Sequence, residues 1–489
     1  MKICIFTNHF YPEDFKVNDI AFELAKCGYE ITVLTAIPDY PKGKYYEGYS
    51  LFKRRRETVN GVSIIRLPII PRGKGGAVRL VLNYISYYIC LSIFVFFHTL
   101  KNKYDRIFVH LTSPFFIGVC AKKMAKRQKV PLIFWVLDLW PESLISAGGI
   151  ASPYIINPQI KMVGKVYEQC DRILIGSKGF EKSICEKGNF KDKIIYFPNW
   201  AEEVAGKVSK DFDVKTIKPF DEKGNFIILF TGNLGEAQNL DAVIQAAKIL
   251  RENKKIKFVF IGDGRKKDYL QNLTKLYGLT DSVYFPGRFP IETMPVFMDA
   301  ASVLLFSLKD ELCFNLTVPA KVQFYMSQGK PILAMINGDG AELVKKAECG
   351  IAVNAGDYNG LSDAIQKMQE MNSVALLKLG ENGKRFYNDN FRKELRIQQL
   401  QELLTTTFLC CYRTESNFDI REGEKKSYED SCMLKKKKYK MDTFILNLLL
   451  NLFKKIKYII LSIGYVLFVE SKNRYDIDII EDGREGNYE

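Results

Sequence analysis

Short apolar runs alternate with helical periodicity along most of this chain. In the first half the runs are KICIFT, EITVLT, RIFVHL, PLIFWVLD and RILIGS, with an amphipathic helical stretch, 19–27, between the first two. A run of four to eight apolar residues flanked by helical pattern is what a strand covered on both faces requires. The alternation therefore predicts a parallel, doubly wound sheet. It lapses at 201–225, AEEVAGKVSKDFDVKTIKPFDEKGN, a polar stretch rich in Gly, Lys and Asp. A second series follows: FIILFTG, KFVFIGDG, SVYFPG, SVLLFS, PILAMI and GIAVNA. The expected architecture is α/β, with two Rossmann-like domains, 1–200 and 226–390, joined by a linker at 201–225. A closing helix within 391–408 is expected to end the second domain. Ligands of such sheets lie beyond the carboxyl ends of the strands, so two facing domains place the site in the cleft between them.

Residues 409–489 break the pattern. They are first polar and aperiodic, then carry Lys435–Lys438 and Lys440, then FILNLLLNLFKKIKYIILSIGYVLF. A spanning helix needs about 20 largely apolar residues, and here Lys454, Lys455 and Lys457 split the apolar blocks. A basic cluster beside an apolar segment suits a helix lying in an anionic membrane surface; a helical hairpin packed on the body is the alternative. Leu80–Phe97, LVLNYISYYICLSIFVFF, is a second apolar segment. A span there would put the two sides of one domain on opposite faces of a bilayer. It is expected instead as a domain helix, either buried all round or turning an aromatic face to lipid with Arg72, Lys74 and Arg79 at the headgroups.

Charge sharpens the picture. Across 489 residues, 71 Lys and Arg against 56 Asp and Glu leave a net charge of +15, which calls for an anionic partner. No zinc spacing, RNA-motif aromatic pattern or repeat is present, so nucleic acid is not the expected partner. The 11 cysteines form no CxxC pair, which suits reduced thiols in a cytoplasmic protein. Three histidines, His9, His98 and His110, do not make a histidine-based metal site by themselves. The N-terminus reads as a strand rather than a signal peptide. GxGxxG after the first strand, GxxxxGK[ST] and GxSxG are all absent. Two DxD-like triplets, Asp211–Asp213 and Asp476–Asp478, fall in the linker and the tail.

The stretches with chemical potential are few. TGNLG, FIGDGR and FPGRFP each follow a strand of the second series. Glycine there lets backbone approach a ligand, and the following helix offers free N–H groups and a positive dipole end. Successive loops of this kind favour a nucleotide-diphosphate ligand over turn glycines. Lys321, in TVPAKVQFYMSQGKPIL, stands near a predicted helix start, where a cation opposes the dipole unless it reaches for an anion. In the first domain, VLDLWPES puts Asp138 at a strand end, and Glu142 at a predicted helix start after Pro141.

These stretches, in order and with HFYPEDFKVNDIAFELAKCGYEITVLTAIPDYPKGKYYEGY and INGDGAELV, resemble family 4 glycosyltransferases, and most of all a subgroup similar to the L-fucosamine transferases of O-antigen and capsule synthesis. The likeness covers residues 1 to about 404. It implies a GT-B fold, a nucleotide-sugar donor (UDP-linked) held by the second domain, no metal or other cofactor, and retention of anomeric configuration. It also implies a polyprenyl-diphosphate-linked glycan acceptor on the first domain, a peripheral position on the inner face of the cell membrane, and other polysaccharide-assembly enzymes as neighbours. Carried onto this sequence, Asn233, Gly235, Gln238, Gly262, Arg265, Arg288, Thr317, Lys321 and Gln323 become the donor-binding set. Asp138 and Glu142 become the catalytic, acceptor-orienting carboxylates, and Lys16 and Asn18 facing-domain contacts. The sequence departs from the family where Arg and Lys usually grip the diphosphate, with Asn233 and Gln238 there instead, and where a pair of glutamates falls on Leu316 and Phe324. The competing readings are a sugar-nucleotide epimerase or hydrolase of the same fold, and a non-catalytic scaffold of a polysaccharide assembly complex.

Overall fold

The computed structural model describes residues 1–73, 76–148, 152–201, 222 and 224–406. Expectations for Lys74, for most of the linker and for residues 409–489 lie outside the described residues.

The first domain holds β1 (Lys2–Phe6), β2 (Glu30–Ala36), β3 (Arg56–Val59), β4 (Val62–Leu67), β5 (Arg106–Leu111), β6 (Leu132–Val136), β7 (Arg172–Ile175) and β8 (Ile194–Tyr196). They form one sheet in the order β3-β4-β2-β1-β5-β6-β7-β8, parallel except for the β3–β4 hairpin. That hairpin is absent from the apolar runs because its edge strand, RETV, has almost no apolar pattern. Its turn, Asn60-Gly61, has φ of 49° and 80°, the left-handed pair that a two-residue hairpin loop needs.

Helices α1 (Lys16–Lys26), α2 (Ala77–Lys101), α3 (Phe116–Gln128), α4 (Glu142–Gly148), α5 (Pro153–Gln169) and α6 (Phe180–Cys185) complete this domain. Residues of α2, α3, α5 and α6 share one core on one sheet face, and residues of α1 share another on the opposite face.

The second domain is a parallel sheet of β9 (Phe226–Thr231), β10 (Ile256–Ile261), β11 (Val283–Gly287), β12 (Val303–Ser307), β13 (Ile332–Met335) and β14 (Gly350–Val353), in the order β11-β10-β9-β12-β13-β14. All six coincide with the second apolar series. Its helices are α7 (Leu240–Ile249), α8 (Lys267–Leu276), α9 (Met294–Ala300), α10 (Leu312–Asn315), α11 (Ala320–Gln328), α12 (Asp339–Lys346), α13 (Tyr358–Glu370) and α14 (Ser373–Asn390). Strand order reverses at β1 between β2 and β5, and at β9 between β10 and β12. Both reversals are the switch points at which open α/β sheets bind ligands.

The closing helix, α15 (Lys393–Thr405), corrects an expectation. It does not end the second domain but returns to the first, where Ile397, Leu400 and Leu404 join the core with Val17, Ile20 and Leu24 of α1. Arg106 Nε donates to the Leu404 carbonyl at 3.1 Å, at the foot of β5. The helical character of α15 was readable; the domain on which it packs was not. The domains also meet at the cleft. Asp339, first residue of α12, accepts bonds of 2.5 Å from Ser177 Oγ and from the Gly179 amide. Leu316 packs against the first domain's core.

Candidate active site

In the second domain the strand-end glycines form a line. Gly232, Gly262 and Gly287 follow or end the neighbouring strands β9, β10 and β11, with φ of 132°, 143° and 104°. The Gly232 amide donates to the Ile261 carbonyl and the Gly262 amide to the Gly287 carbonyl, both at 2.8 Å. A β-carbon on Gly262 would stand 1.8 Å from the Gly232 oxygen, so the two loops approach backbone to backbone. Across the switch point the β9 loop is tied to the end of β12: the Lys309 amide donates to the Ala237 carbonyl at 3.0 Å and Ser307 Oγ to the Gln238 carbonyl at 2.5 Å.

Lys321 lies directly over this line. A β-carbon on Gly232 would stand 2.7 Å from its Cε and Nζ, so the glycine makes the room that the lysine fills. Its Nζ sits 4.0 Å from the Phe230 ring centroid and donates to Gln238 Oε1 at 3.3 Å. Tyr325, one turn further along α11, fixes the helix to β9, its hydroxyl accepting from the Thr231 amide at 3.1 Å. No carboxylate pairs with Lys321 among the described residues, and burial pushes its pKa down from 10.5 to about 7. A cation desolvated over glycine backbone, at a helix N-terminus, stands ready for an anionic ligand.

The predicted donor residues divide accordingly. Gly262, Gln238 and Lys321 come together. Asn233 and Gly235 lie in the same loop, the Asn233 side chain folding back so that a β-carbon on Gly235 would stand 2.5 Å from its Nδ2. Arg265 and Arg288 are exposed beyond the ends of β10 and β11. The neighbour Lys266 enters the β9 loop instead, pairing with Asp241 at 2.6 Å and Glu236 at 3.2 Å, and Lys309 pairs with Glu236 as well. Thr317 Oγ1 is engaged by the Cys313 carbonyl at 2.6 Å. Gln323 corrects an expectation: it is fully buried, with both amide atoms unpartnered, so it does not reach a ribose from this position. Its place on α11 turns it into the domain, opposite Lys321's outlook. At the positions where the resemblance puts glutamates, Leu316 and Phe324 contribute apolar packing.

The first domain gathers its polar groups at the carboxyl ends of β1, β2, β4, β5 and β6. Asp138, just past β6, accepts from the Ser113 amide at 2.9 Å and from Ser113 Oγ at 3.0 Å. Trp140 Nε1 donates to the same hydroxyl at 3.0 Å. Burial raises the Asp138 pKa, and the two Ser113 bonds oppose that.

Beside it lies a cluster that the sequence reading missed. His9 Nδ1 meets Glu13 Oε2 at 2.9 Å, and His9 Nε2 meets Arg72 Nη2 at 2.8 Å. A guanidinium only donates, so His9 carries its proton on Nδ1 and gives it to Glu13. Glu13 Oε1 accepts from the Asp39 and Tyr40 amides, and Asp39 Oδ2 from the Arg72 amide and Asn83 Nδ2. His9, Glu13 and Asp39 offer ligand-type atoms within 4.8 Å of one another, and the cation among them is the Arg72 guanidinium. His9, Asp39, Arg72, Asn83, Tyr84 and Pro114 line one small cavity. Asn8 Oδ1, Asp39 Oδ1 and Arg72 Nε are buried there without a hydrogen-bond partner, which equips the cavity for a hydroxyl. The available signal was positional: HFYPED, IPDY and PRG each lie within a few residues of a strand's carboxyl end.

Two other expectations change. Glu142 is not free to meet an acceptor: its Oε1 accepts from Ser183 Oγ and Lys187 Nζ, both at 2.6 Å, which ties α4 to α6. Asn18 accepts from the Tyr11 amide at 3.1 Å and donates to the Glu13 carbonyl at 2.7 Å, so it shapes the loop that carries His9. Lys16 opens α1 and is half-buried.

Each domain matches a family model. Residues 16–200 match the family model described as "Glycosyl transferase 4-like domain", and residues 212–386 match "Glycosyl transferases group 1". The chain is 26% identical over 301 residues to the "Putative colanic acid biosynthesis glycosyl transferase WcaI" of Escherichia coli (strain K12), covering 58% of this chain and 72% of that one. It is 30% identical over 254 residues to the "Probable glycosyltransferase WbjE" of Pseudomonas aeruginosa, covering 50% of this chain and 61% of that one. Among solved structures, Anabaena Alr3699/HepE in complex with UDP superposes with a TM-score of 0.61 at 16% identity, covering 83% of this chain and 99% of that one. The expected fold, two facing Rossmann-like domains of the GT-B type, is the one observed.

Proposed function

We propose that this chain, a glycosyltransferase of the GT-B fold, moves a sugar from a UDP-linked donor on the second domain to a lipid-carried glycan on the first. The observation that carries this is Lys321, desolvated and with no carboxylate partner among the described residues, over the Gly232–Gly262 backbone line. The leaving diphosphate lies there, its charge met by Lys321, by the backbone amides beyond β9 and by the Gln238 amide. The loop itself has no cation where the family usually has two, and Lys321 reaches the same place from α11. The acceptor sugar enters from the first domain, where Asp138 orients its hydroxyl and the His9–Glu13–Asp39–Arg72 cluster holds the ring. Both sugars are thereby fixed in one cleft, which supplies the proximity that transfer needs. Transfer proceeds with retention and without a metal, the diphosphate taking up the acceptor proton. The donor sugar is an N-acetylated amino or deoxyamino sugar, as in the L-fucosamine-transferase-like subgroup. The acceptor is a polyprenyl-diphosphate-linked glycan at the inner face of the cell membrane; the role in colanic acid biosynthesis named for one relative supports the polysaccharide setting.

The test is acceptor-dependent release of UDP. Incubation with a panel of UDP-sugars and a bacterial lipid extract should release UDP and carry label into the organic phase for one donor. Release of UDP without lipid extract would instead indicate a hydrolase or epimerase, and no release with any donor would contradict the assignment.

A further inference from the structure

Helix α2 is apolar on its outer face as well as its inner one. The side chains it turns into the domain include Asn83 and Thr99 together with Tyr87, Tyr88, Leu91 and Val95. Leu82, Ile93, Phe97 and Leu100 are exposed, Phe97 by 60% and Leu100 by 58%. With the half-buried Ile85 and Ile89 between them, they make an unbroken apolar stripe at helical spacing. At 1.5 Å per residue the stripe runs for about 27 Å. A surface helix of a soluble domain presents polar residues on its outer face.

The rim of this stripe is basic. From 72 to 130 the sequence holds eleven Lys and Arg and a single acid, Asp105. Arg79 is exposed at the start of α2, and Lys101 and Lys103 at its end. On α3, which packs beside it, Lys123, Lys126 and Arg127 are exposed, and the Arg127 guanidinium lies 4.7 Å from the Phe96 ring. We propose that α2 and α3 form a docking face for an anionic bilayer, with α2 lying flat and its stripe from Leu82 to Leu100 among the acyl chains. Spanning is excluded by what the inner face does: Tyr87 hydroxyl donates to the Thr7 carbonyl at 2.7 Å, and Asn83 holds Asp39 and Ile70. A second copy of the chain would set one basic rim against another. The apolar blocks within 444–469 are themselves flanked and split by lysines, so they fit this face no better. Anionic lipid complements both the stripe and its rim.

The same helix connects this face to the chemistry. Asn83, Tyr84 and Tyr87 of α2 line the cavity shared with His9, Asp39 and Arg72. Docking would therefore hold the acceptor cavity one helix diameter from the lipid surface. This second step rests on the lipid-carried acceptor proposed above, and the docking itself does not.

The experiment is sedimentation of the full chain with vesicles of phosphatidylcholine alone or mixed with phosphatidylglycerol, without donor or acceptor. Binding is expected to the anionic vesicles. The variant I93E/F97E should need about tenfold more lipid or worse for half-binding, with an unchanged melting profile, and K123E/K126E, at two exposed rim positions, should weaken binding in low salt only. The three native tryptophans, Trp135, Trp140 and Trp200, are buried, so added emission from Phe97→Trp reports on the stripe and should be quenched by brominated acyl chains. Undiminished binding of I93E/F97E, an unquenched signal at 97, or a dimer in solution that I93E/F97E dissociates would each overturn the proposal. Because neither readout involves sugar transfer, a failed transferase assay leaves the docking result interpretable.

Discussion

Replacing Lys321 by Met should stabilise the protein while removing its grip on the donor. Met keeps the length of the side chain over Phe230 and Gly232 and deletes the charge. The ammonium's cost follows from its pKa, down from 10.5 to about 7 through burial. At 1.36 kcal/mol per tenfold, that difference sets a ceiling of about 5 kcal/mol. For a lysine whose folded pKa is depressed, the cost is complete below about pH 7 and fades as the pH rises to 10.5. Lys321 keeps some solvent contact and one bond to Gln238, so the expected gain is about 1–3 kcal/mol at pH 6. Chemical denaturation of both proteins at pH 6 and pH 9 measures it, and the gain should shrink at pH 9. Donor binding supplies the second half. A bound diphosphate holds the proton on Lys321, so wild-type affinity for a UDP-sugar should weaken by about 50-fold between pH 7 and pH 9 by linkage from a free-state value near 7. Titration calorimetry of K321M should show weak binding with no such slope. A variant that is destabilised at pH 6, or that keeps the wild-type affinity and pH slope, would refute the reasoning.

Three further outcomes follow from the same geometry. Lys187→Met leaves the Glu142 carboxylate buried without its cation and should cost about 3 kcal/mol; the double variant E142L/K187M should recover most of it, measured by urea unfolding, because the pair is structural. Gly262→Ala puts a β-carbon 1.8 Å from the Gly232 oxygen, so it should abolish stabilisation by UDP in a thermal melt and lower the melting temperature by several degrees, about 2 kcal/mol in stability; retained UDP stabilisation would contradict the backbone approach. Asp339→Ala removes the two bonds to Ser177 and Gly179 across the cleft, so small-angle scattering of the free enzyme should show a larger radius of gyration than wild type.

In the second domain β9, β10, β12 and β13 were legible because each is buried on both faces and reads as a continuous apolar run, and the half-buried edge strands β11 and β14 keep shorter runs. The β3–β4 hairpin was not, since an edge strand such as RETV needs little apolar surface; its Asn60-Gly61 turn was the cue that remained. Lys321 was legible because a cation at a helix start is locally unfavourable and therefore asks for an explanation. Glu142 and Gln323 were not, because their roles depend on partners and on helix rotation: the Lys187 that holds Glu142 is 45 residues away. The His9–Glu13–Asp39–Arg72 cluster was hidden for the same reason, its members arriving from the ends of three different strands. Each was a plausible surface residue alone, and only the sheet order brings them together.

The central claim is that the donor's diphosphate lies on the Gly232–Gly262 line with Lys321 as its cation. A crystal structure of the full chain with a UDP-sugar tests it most directly. The account predicts diphosphate density over the ends of β9 and β10, with a phosphate oxygen within hydrogen-bonding distance of Lys321 Nζ. Diphosphate density elsewhere, or at this line with Lys321 turned away, would contradict it.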